Sequence, residues 1–551
     1  MSICDYTRRN FLKAVGLGAA SLAIPGCMRT VRLSTLRASK SKPNIILIMA
    51  DDMGYSDIGC YGGEIQTPNL DKLADNGLRF TQFYNTARCC PTRASLMTGL
   101  YAHQTGMGWM TAANLGYKGY RGDLNNRCVT IAEVLKQAGY RTYMTGKWHL
   151  TYDKYWDGPK HSWPCQRGFD RFYGTIAGGG SYFNPTALTH DNTRIEAPAR
   201  DYYYTDAISD NAVKFITEHN QTKGGKPFFL YVAYTCPHWP LHAKPHDIEK
   251  YRGKYMNGWD ALRAERHKRM IKMGLVHKDW DITPRDRKVK AWNDVDQPKK
   301  ELWDLRMAVY AAQIDCMDQG IGRIISAVEN AGKLNNTLVM FLSDNGGCAE
   351  SISRSKKDID LLGTDDSFES YRINWANASN TPFRLYKHWV HEGGIATPLI
   401  VHWPDRIKAR GELRHQPGHV IDIMATCLDV TGATYPRKYK GHKIVPLEGK
   451  SLVPAFDNEA IVLGTPYGER EAIYWEHEAN RAIRLGKWKL VAKGINGPWE
   501  LYDMELDRTE LNNLAQKYPK RTKKMAAMWQ KWAERADVLP LDGRGWFERL
   551  E

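Results

Sequence analysis

The 551-residue sequence has no repeat at a fixed period, no heptad pattern and no low-complexity tract, which excludes solenoids, coiled coils and disordered scaffolds. Beyond the N-terminal segment no apolar run is long enough to cross a bilayer, and the N-terminal run is itself too short for a stable span. Acidic residues are in deficit. Asp and Glu number 61 against 77 Lys and Arg, a formal net charge of +16 that favours anionic partners such as nucleic acid, anionic lipid or an acidic polysaccharide. The charge is spread along the chain rather than gathered in one arm, so no nucleic-acid partner is expected. Zinc-type spacing is missing as well: the adjacent pair Cys89-Cys90 has no further Cys or His at short spacing.

What is present is an ordinary globular composition, 42% hydrophobic and 25% charged. The length fits roughly three domains, or one large α/β domain with an appendage. The start of the chain reads as targeting rather than fold. Arg8-Arg9, then Phe11-Leu12 and a weakly apolar Gly/Ala-rich run, resemble a twin-arginine export signal. "IPGC", with Pro25 an unusual neighbour, resembles a lipoprotein cleavage box that would lipidate Cys27 and tether the protein to a membrane. Residues 1–40 are therefore expected to be signal and linker, and the protein to be exported to the periplasm or cell envelope. Removing Cys4 and Cys27 from the 11 cysteines leaves nine, among which the sequence fixes no pairing.

Four short apolar runs end in unusual polar groups. "NIILIMA" leads to Asp51-Asp52, and "YRTYMT" to Gly146-Lys147-Trp148-His149. "PFFLYVAY" leads to Thr235-Cys236-Pro237-His238, and "TLVMFLS" to Asp344-Asn345. Such runs alternating with helical patterns predict buried strands of a mostly parallel sheet. Ligands bind such sheets at the carboxyl ends of the strands. Each group has a plainer explanation alone, as a helix cap or a turn, but four in one chain point to one rim. Asp51, Asp52, Asp344 and Asn345 are an oxygen-rich set that suits Ca²⁺ or Mg²⁺ better than zinc. Arg93, Lys147 and Lys387 could hold a tetrahedral oxyanion, and His149 and His238 could move protons. The composite is a metal-assisted hydrolase of a phosphate or sulfate ester.

The vicinal pair is a poor candidate for a structural disulfide. "Cys89-Cys90-Pro91-Thr92-Arg93", followed by Leu96, Thr98 and Gly99, resembles the Cys-x-Pro-x-Arg signature of type I sulfatases. In that family the cysteine two before the proline is oxidised by a maturation enzyme to formylglycine, which implies Cys89 and not Cys90. Leu100 stands where arginine is usual and Thr92 where serine is usual. The resemblance covers nearly all of the chain after the signal. It implies Asp51, Asp52, Cys89, Asp344 and Asn345 as ligands of a divalent metal, calcium with magnesium as the alternative. Lys147 and Lys387 are implied to bind sulfate, Arg93 and His149 to serve the formylglycine, and His238 to be the leaving-group acid.

The fold implied is alkaline-phosphatase-like α/β, a mostly parallel sheet sandwiched by helices. A catalytic domain is expected over 41–430 and a C-terminal antiparallel-sheet subdomain over 431–551. The reaction implied is hydrolysis of an aryl or carbohydrate sulfate. The rivals are a phosphate mono- or diesterase or phosphonate ester hydrolase of the same superfamily, and a non-catalytic binder of sulfated polysaccharide. Every catalytic position is occupied, which argues against the last. Trp148, Trp239 and Trp389 lie beside proposed site residues and could stack on a sugar or aryl ring, although core packing explains any one of them more cheaply. His103, His242, His388 and His391 are structural or substrate-contact candidates. Residues 257–298 and 350–376 read as long insertions that either line a pocket or form solvated surface.

Overall fold

In a computed structural model of the chain, which describes residues 42–198, 201–222, 224–354, 359–457 and 472–550, the four apolar runs become four adjacent parallel strands. They are β1 (Asn44–Ala50), β3 (Arg141–Lys147), β7 (Phe228–Ala233) and β8 (Thr337–Ser343), in the spatial order β8-β1-β7-β3. The sheet extends through β2 (Leu78–Tyr84), β4 (Arg171–Thr175), β5 (Leu188–His190), β6 (Thr193–Arg194), β9 (Ala396–His402), β10 (Glu412–Arg414) and β11 (Gly418–His419). β9 lies antiparallel between β2 and β8, and the β4–β5–β6 edge is antiparallel too, so the sheet is mixed but parallel at its centre. The readings on Arg8, Arg9, Cys4 and Cys27 lie outside the described residues.

Both faces of the central strands are covered, which is why their sequences are apolar without alternation. Ile46, Ile48, Leu230 and Val232 pack against the helices Tyr204–Gln221 and Gln297–Asn330. Ile45, Leu47, Met49, Phe229 and Tyr231 pack on the other face against the helices Cys89–Thr98, Ile131–Gln137 and Asp422–Thr431. After the small hairpin of β12 (Lys438–Tyr439) and β13 (His442–Lys443), Ile444, Leu452 and Phe456 join that second core.

The strands β14 (Ile473–His477), β15 (Asn480–Leu485), β16 (Trp488–Ala492) and β17 (Glu500–Asp503) form an antiparallel meander. Its apolar face, with Ile483, Leu490 and Leu501, is covered by Met525, Trp529 and Trp532 of the helix Pro519–Arg535. The expected α/β architecture with its C-terminal antiparallel sheet is the one the chain adopts. Buried charges join this sheet to the rest. Lys489 Nζ lies 2.8 Å from both Glu392 Oε1 and Glu510 Oε1, and Arg508 Nε 2.8 Å from Glu392 Oε2. All four side chains are fully buried, a placement that ionised groups tolerate only when paired.

The two insertions differ in role. The first carries the helix Gly258–Lys272 and buries Trp259 and Trp292 against Trp375. Trp259 and Trp292 are core, Trp280 is only partly buried, and much of the remaining insertion is solvated surface. The second brings Phe368 to Trp239, ring centroids 5.7 Å apart.

Candidate active site

The rim at the carboxyl ends of β1, β7 and β8 is stitched by backbone. Asp51 N–H donates to Cys236 O at 2.8 Å, and Asp344 N–H to Ala50 O at 3.1 Å. Asp52 adopts φ 67°, in the left-handed region, so the chain turns sharply as it leaves β1, and its own N–H donates to Asp344 Oδ1 at 3.2 Å. A non-glycine residue held at such φ is a local strain that functional turns commonly carry.

Cys89 occupies the first turn of the helix Cys89–Thr98, after Arg88 in extended conformation, and Gly99 at φ 69° ends it. Backbone N–H groups without helical partners and the positive end of the helix dipole favour a thiolate there. The two cysteines are driven apart. A hydrogen bond from Cys90, opposed by burial and assisted by Lys147 and His149, pulls the Cys89 thiol well below its ordinary pKa. Burial pushes Cys90 well above.

Arg93 lies one turn further along, the (i, i+4) spacing that places it under Cys89. Its Nη2 and Nε donate to Asp344 Oδ2 at 2.8 and 3.1 Å, and its Nη1 donates to Lys147 O at 2.9 Å. Lys147 Nζ is 2.6 Å from Asp51 Oδ2. Lys387, on a loop whose backbone is tied to Gly347, places Nζ 2.8 Å from Asp52 Oδ1. Asn345 Nδ2 donates to Asp52 Oδ1 at 2.7 Å, and His238 Nε2 stands 3.5 Å from Asp52 Oδ2. His238 Nδ1 lies 2.6 Å from Trp239 O. A carbonyl can only accept, so Nδ1 carries hydrogen and any proton this ring delivers leaves from Nε2. Cys89, Cys90 and His149 bring their ligand atoms within 4.8 Å of one another, and burial holds the His149 pKa below its ordinary value, which leaves the ring neutral.

The residues predicted from the four strand ends, the Cys89 helix and the Lys387 loop are therefore brought together in one cluster. The oxygen donors fit a hard cation on an observation of their own. Asp51 Oδ1 and Asn345 Oδ1 are buried acceptors with no hydrogen-bond partner among the described residues. Burial and the neighbouring Asp51 charge push the Asp344 carboxyl well above its ordinary pKa. Burial opposes ionisation of Asp51 too, but Lys147, His238 and Arg93 hold it down to about 2. Crowded carboxylates with open lone pairs are what Ca²⁺ or Mg²⁺ relieves.

Other predicted contacts resolve differently. Trp148 is fully buried in the core. Trp239 and Trp389 are only partly buried. His103 pairs with Glu476 at 2.6 Å, and His242 bonds to Ser367 O at 2.6 Å. His388 pairs with Glu478 at 2.5 Å, while His391 is fully buried. Two features beside the site escaped sequence reasoning. Gly178 and Gly179 press the β4–β5 connection onto the imidazoles: an added Cβ would lie 2.5 Å from His149 Nε2 and 2.9 Å from His238 Cε1. The signal was available as the triple glycine at 178–180. The other is Glu350, within 3.0 Å of Arg88; it opens the 350–376 insertion, but nothing local singles it out within that segment.

Comparison with known proteins supplies the chemistry class. The Sulfatase family model matches residues 43–433, and the model for the C-terminal region of N-sulphoglucosamine sulphohydrolase matches 383–537. An uncharacterized sulfatase of Schizosaccharomyces pombe is 33% identical over 534 residues, covering 90% of this chain and 94% of that protein. The arylsulfatase of Klebsiella aerogenes is 33% identical over 439 residues, 75% of this chain and 92% of its own. The solved structure of Ps i-CgsB in complex with k-i-k-neocarrahexaose shares 26% identity at a TM-score of 0.65, covering 92% of this chain and 99% of that one. The sheet, the convergence of its strand ends and a family match across most of the chain have one reading: this protein belongs to the sulfatase family and is a sulfuric ester hydrolase.

Proposed function

We propose that the protein hydrolyses an aryl or carbohydrate sulfate monoester to the alcohol and sulfate, using a formylglycine made from Cys89 and a hard divalent metal, calcium with magnesium as the alternative. The observation that carries it is the position of Cys89, on a helix N-terminus with Arg93 beneath it and Lys147 and His149 beside it. Formylglycine as its hydrate would supply two hydroxyls on one carbon, one to attack sulfur and one to expel sulfate as the carbonyl re-forms. The metal, held by Asp51, Asp52, Asp344, Asn345 and the residue at 89, would supply positive charge for the sulfate and the attacking oxygen.

The chain's own groups do the rest. Lys147 and Lys387 neutralise sulfate oxygens as charge builds. Arg93, anchored on Asp344 and Lys147 O, holds the residue at 89 in place. His149, neutral and against the residue at 89, accepts the proton of the hydroxyl that expels sulfate. His238 delivers a proton from Nε2 to the leaving oxygen. The substrate class is supported by the names of relatives: an arylsulfatase at 33% identity, and the N-acetylglucosamine-6-O-sulfatase of Bacteroides thetaiotaomicron at 28% over 92% of this chain.

Two measurements test the reading. Peptide mass spectrometry of active enzyme should find formylglycine at 89 and an unmodified Cys90; an active enzyme with intact Cys89 overturns the nucleophile. Turnover of a matched sulfate and phosphate ester should favour the sulfate; the reverse preference would make it a phosphoesterase of the same fold. From Arg8-Arg9 and Cys27 we also infer export by a twin-arginine route, with a lipid tether at Cys27 to the cell envelope. Cell fractionation of an Arg8→Lys, Arg9→Lys variant should find it retained in the cytoplasm.

A further inference from the structure

One carboxylate beside the proposed site has no part in the mechanism above. Glu350 lies beyond the Asp344-Asn345 turn, with Oε1 3.0 Å from Arg88 Nη1 and Oε2 accepting from Trp239 Nε1 at 2.8 Å. Arg88 directly precedes Cys89, and Trp239 directly follows His238, whose ring it meets at 4.5 Å. The carboxylate thus bridges the neighbours of the nucleophile position and of the leaving-group acid. It is not sealed in: 32% of its side chain is exposed, against 10% for Arg88. Burial raises its pKa, but Lys387, Arg88 and His238 outweigh that and hold it well below the ordinary carboxylate range, so it carries charge at neutral pH.

The leaving alcohol must lie on the His238 side of the sulfate, because that ring protonates its oxygen. The part of the substrate next to the scissile bond therefore meets Trp239 and Glu350. A carboxylate oxygen has acceptor capacity for two hydrogen bonds, and each oxygen of Glu350 has one partner given above. Two partners on two different segments fix the rotamer, so the remaining capacity is preorganised rather than adaptable. A hydroxyl placed there gains a charge-assisted hydrogen bond. A second sulfate or a carboxylate placed there meets a fixed like charge, which interfaces use to turn away wrong partners.

We propose that Glu350 is a specificity-determining residue. It accepts a hydrogen bond from a free hydroxyl on the carbon next to the sulfated one, and it excludes sugars that carry a second anion at that position. The protein then acts on singly sulfated neutral sugar units in preference to disulfated or uronic ones. This rests on the reading of the Cys89–His238 cluster as the sulfate ester site. It also gives Glu350 a role beyond neutralising Arg88, which a fully buried carboxylate would serve as well.

The test compares kcat/KM of wild type and Glu350→Gln on a singly sulfated hexose with a free neighbouring hydroxyl and on the same hexose with a second sulfate at that hydroxyl. Wild type should prefer the first by about tenfold or more, and Glu350→Gln should bring the ratio about tenfold closer to one. A variant that loses rate on both substrates alike, with the ratio unchanged, overturns the proposal and leaves Glu350 a structural partner of Arg88. Should the Gln variant not fold, Glu350→Asp draws the charge back from the substrate and must still shift the ratio; an unchanged ratio overturns the proposal again. If wild type hydrolyses neither sulfate but does hydrolyse the matched phosphate esters, the sulfate reading fails, and the Glu350 ratio is then read on the phosphate pair.

Discussion

Gly178 stands against the face of His149 so closely that a methyl group on its Cα would lie 2.5 Å from both Cε1 and Nε2 of the ring. The missing side chain is thus part of the active-site wall. Gly178→Ala should push the imidazole off its position. A misplacement of about 1 Å costs on the order of 10²-fold in rate, whereas melting should change little because the displaced atoms end a side chain. Steady-state kinetics and a melting curve check this, and a kcat within about threefold of wild type refutes it.

If His238 is the proposed leaving-group acid, its value depends on how badly the leaving oxygen needs a proton. Sugar and alkyl alcohols leave poorly as anions, so His238→Ala should cost them on the order of 10²–10⁴ in rate. Nitrophenyl sulfate, whose phenolate leaves readily, should lose much less. Lys147→Ala should harm both substrates alike, because sulfate oxygens are common to them. Equal losses in the histidine variant would make it a positioning residue.

Asp51 serves two partners. Asp51→Asn removes a charge from the oxygen cluster and also takes from buried Lys147 and Arg93 a counter-charge at 2.6 and 3.6 Å. Elemental analysis should show metal content falling well below one per chain, and activity should fall with it. Unfolding should show a loss of about 3–5 kcal/mol, the cost of stranding a buried charge. A variant with full metal content would remove Asp51 from the ligand set.

How far the sequence could carry these arguments depended on range. The central strands were legible because both faces are buried, so β1, β3, β7 and β8 appear as unbroken apolar runs, and chemistry-bearing residues follow each run directly. Cys89 and Arg93 were legible because the local run Cys89-Cys90-Pro91-Thr92-Arg93 resembles the sulfatase signature, and the structure carries that run on one helix. Glu350 was not, since its meaning comes from Arg88 and Trp239, which are remote in sequence and joined to it only by folding. Nor were the joints between the two sheets, such as Trp475 Nε1 donating to Asn85 O at 2.8 Å. Trp148 was ambiguous in sequence because a tryptophan beside a proposed sulfate-binding lysine looks the same whether it faces the core or the substrate.

Acid should loosen the joint at Glu392. Burial alone would raise its pKa, but Lys489, Arg508 and Arg484 hold it down to about 2, against an ordinary 4.5. A depressed carboxylate adds stability that is fully present above pH 4.5 and is lost as pH falls toward 2. Glu392→Gln should therefore be less stable at pH 7 by about 3–5 kcal/mol, and the gap should narrow as pH drops through that window. Denaturant unfolding at several pH values checks it, and a gap independent of pH would mean that the charge itself contributes nothing.

Cys89 is 1% exposed and every residue of its helix is buried, and Asn85, just ahead of that helix, accepts a hydrogen bond from Trp475 Nε1 of the C-terminal sheet. A second protein cannot engage a sulfur so enclosed once the chain has folded around it. If Cys89 is oxidised as proposed, that oxidation is a matter of timing: a maturation enzyme would compete with folding itself and would have only the interval between synthesis of the segment and its burial. Slowing translation downstream of residue 99, or delaying closure of the C-terminal sheet, should raise the fraction of active molecules without altering a single contact in the finished protein.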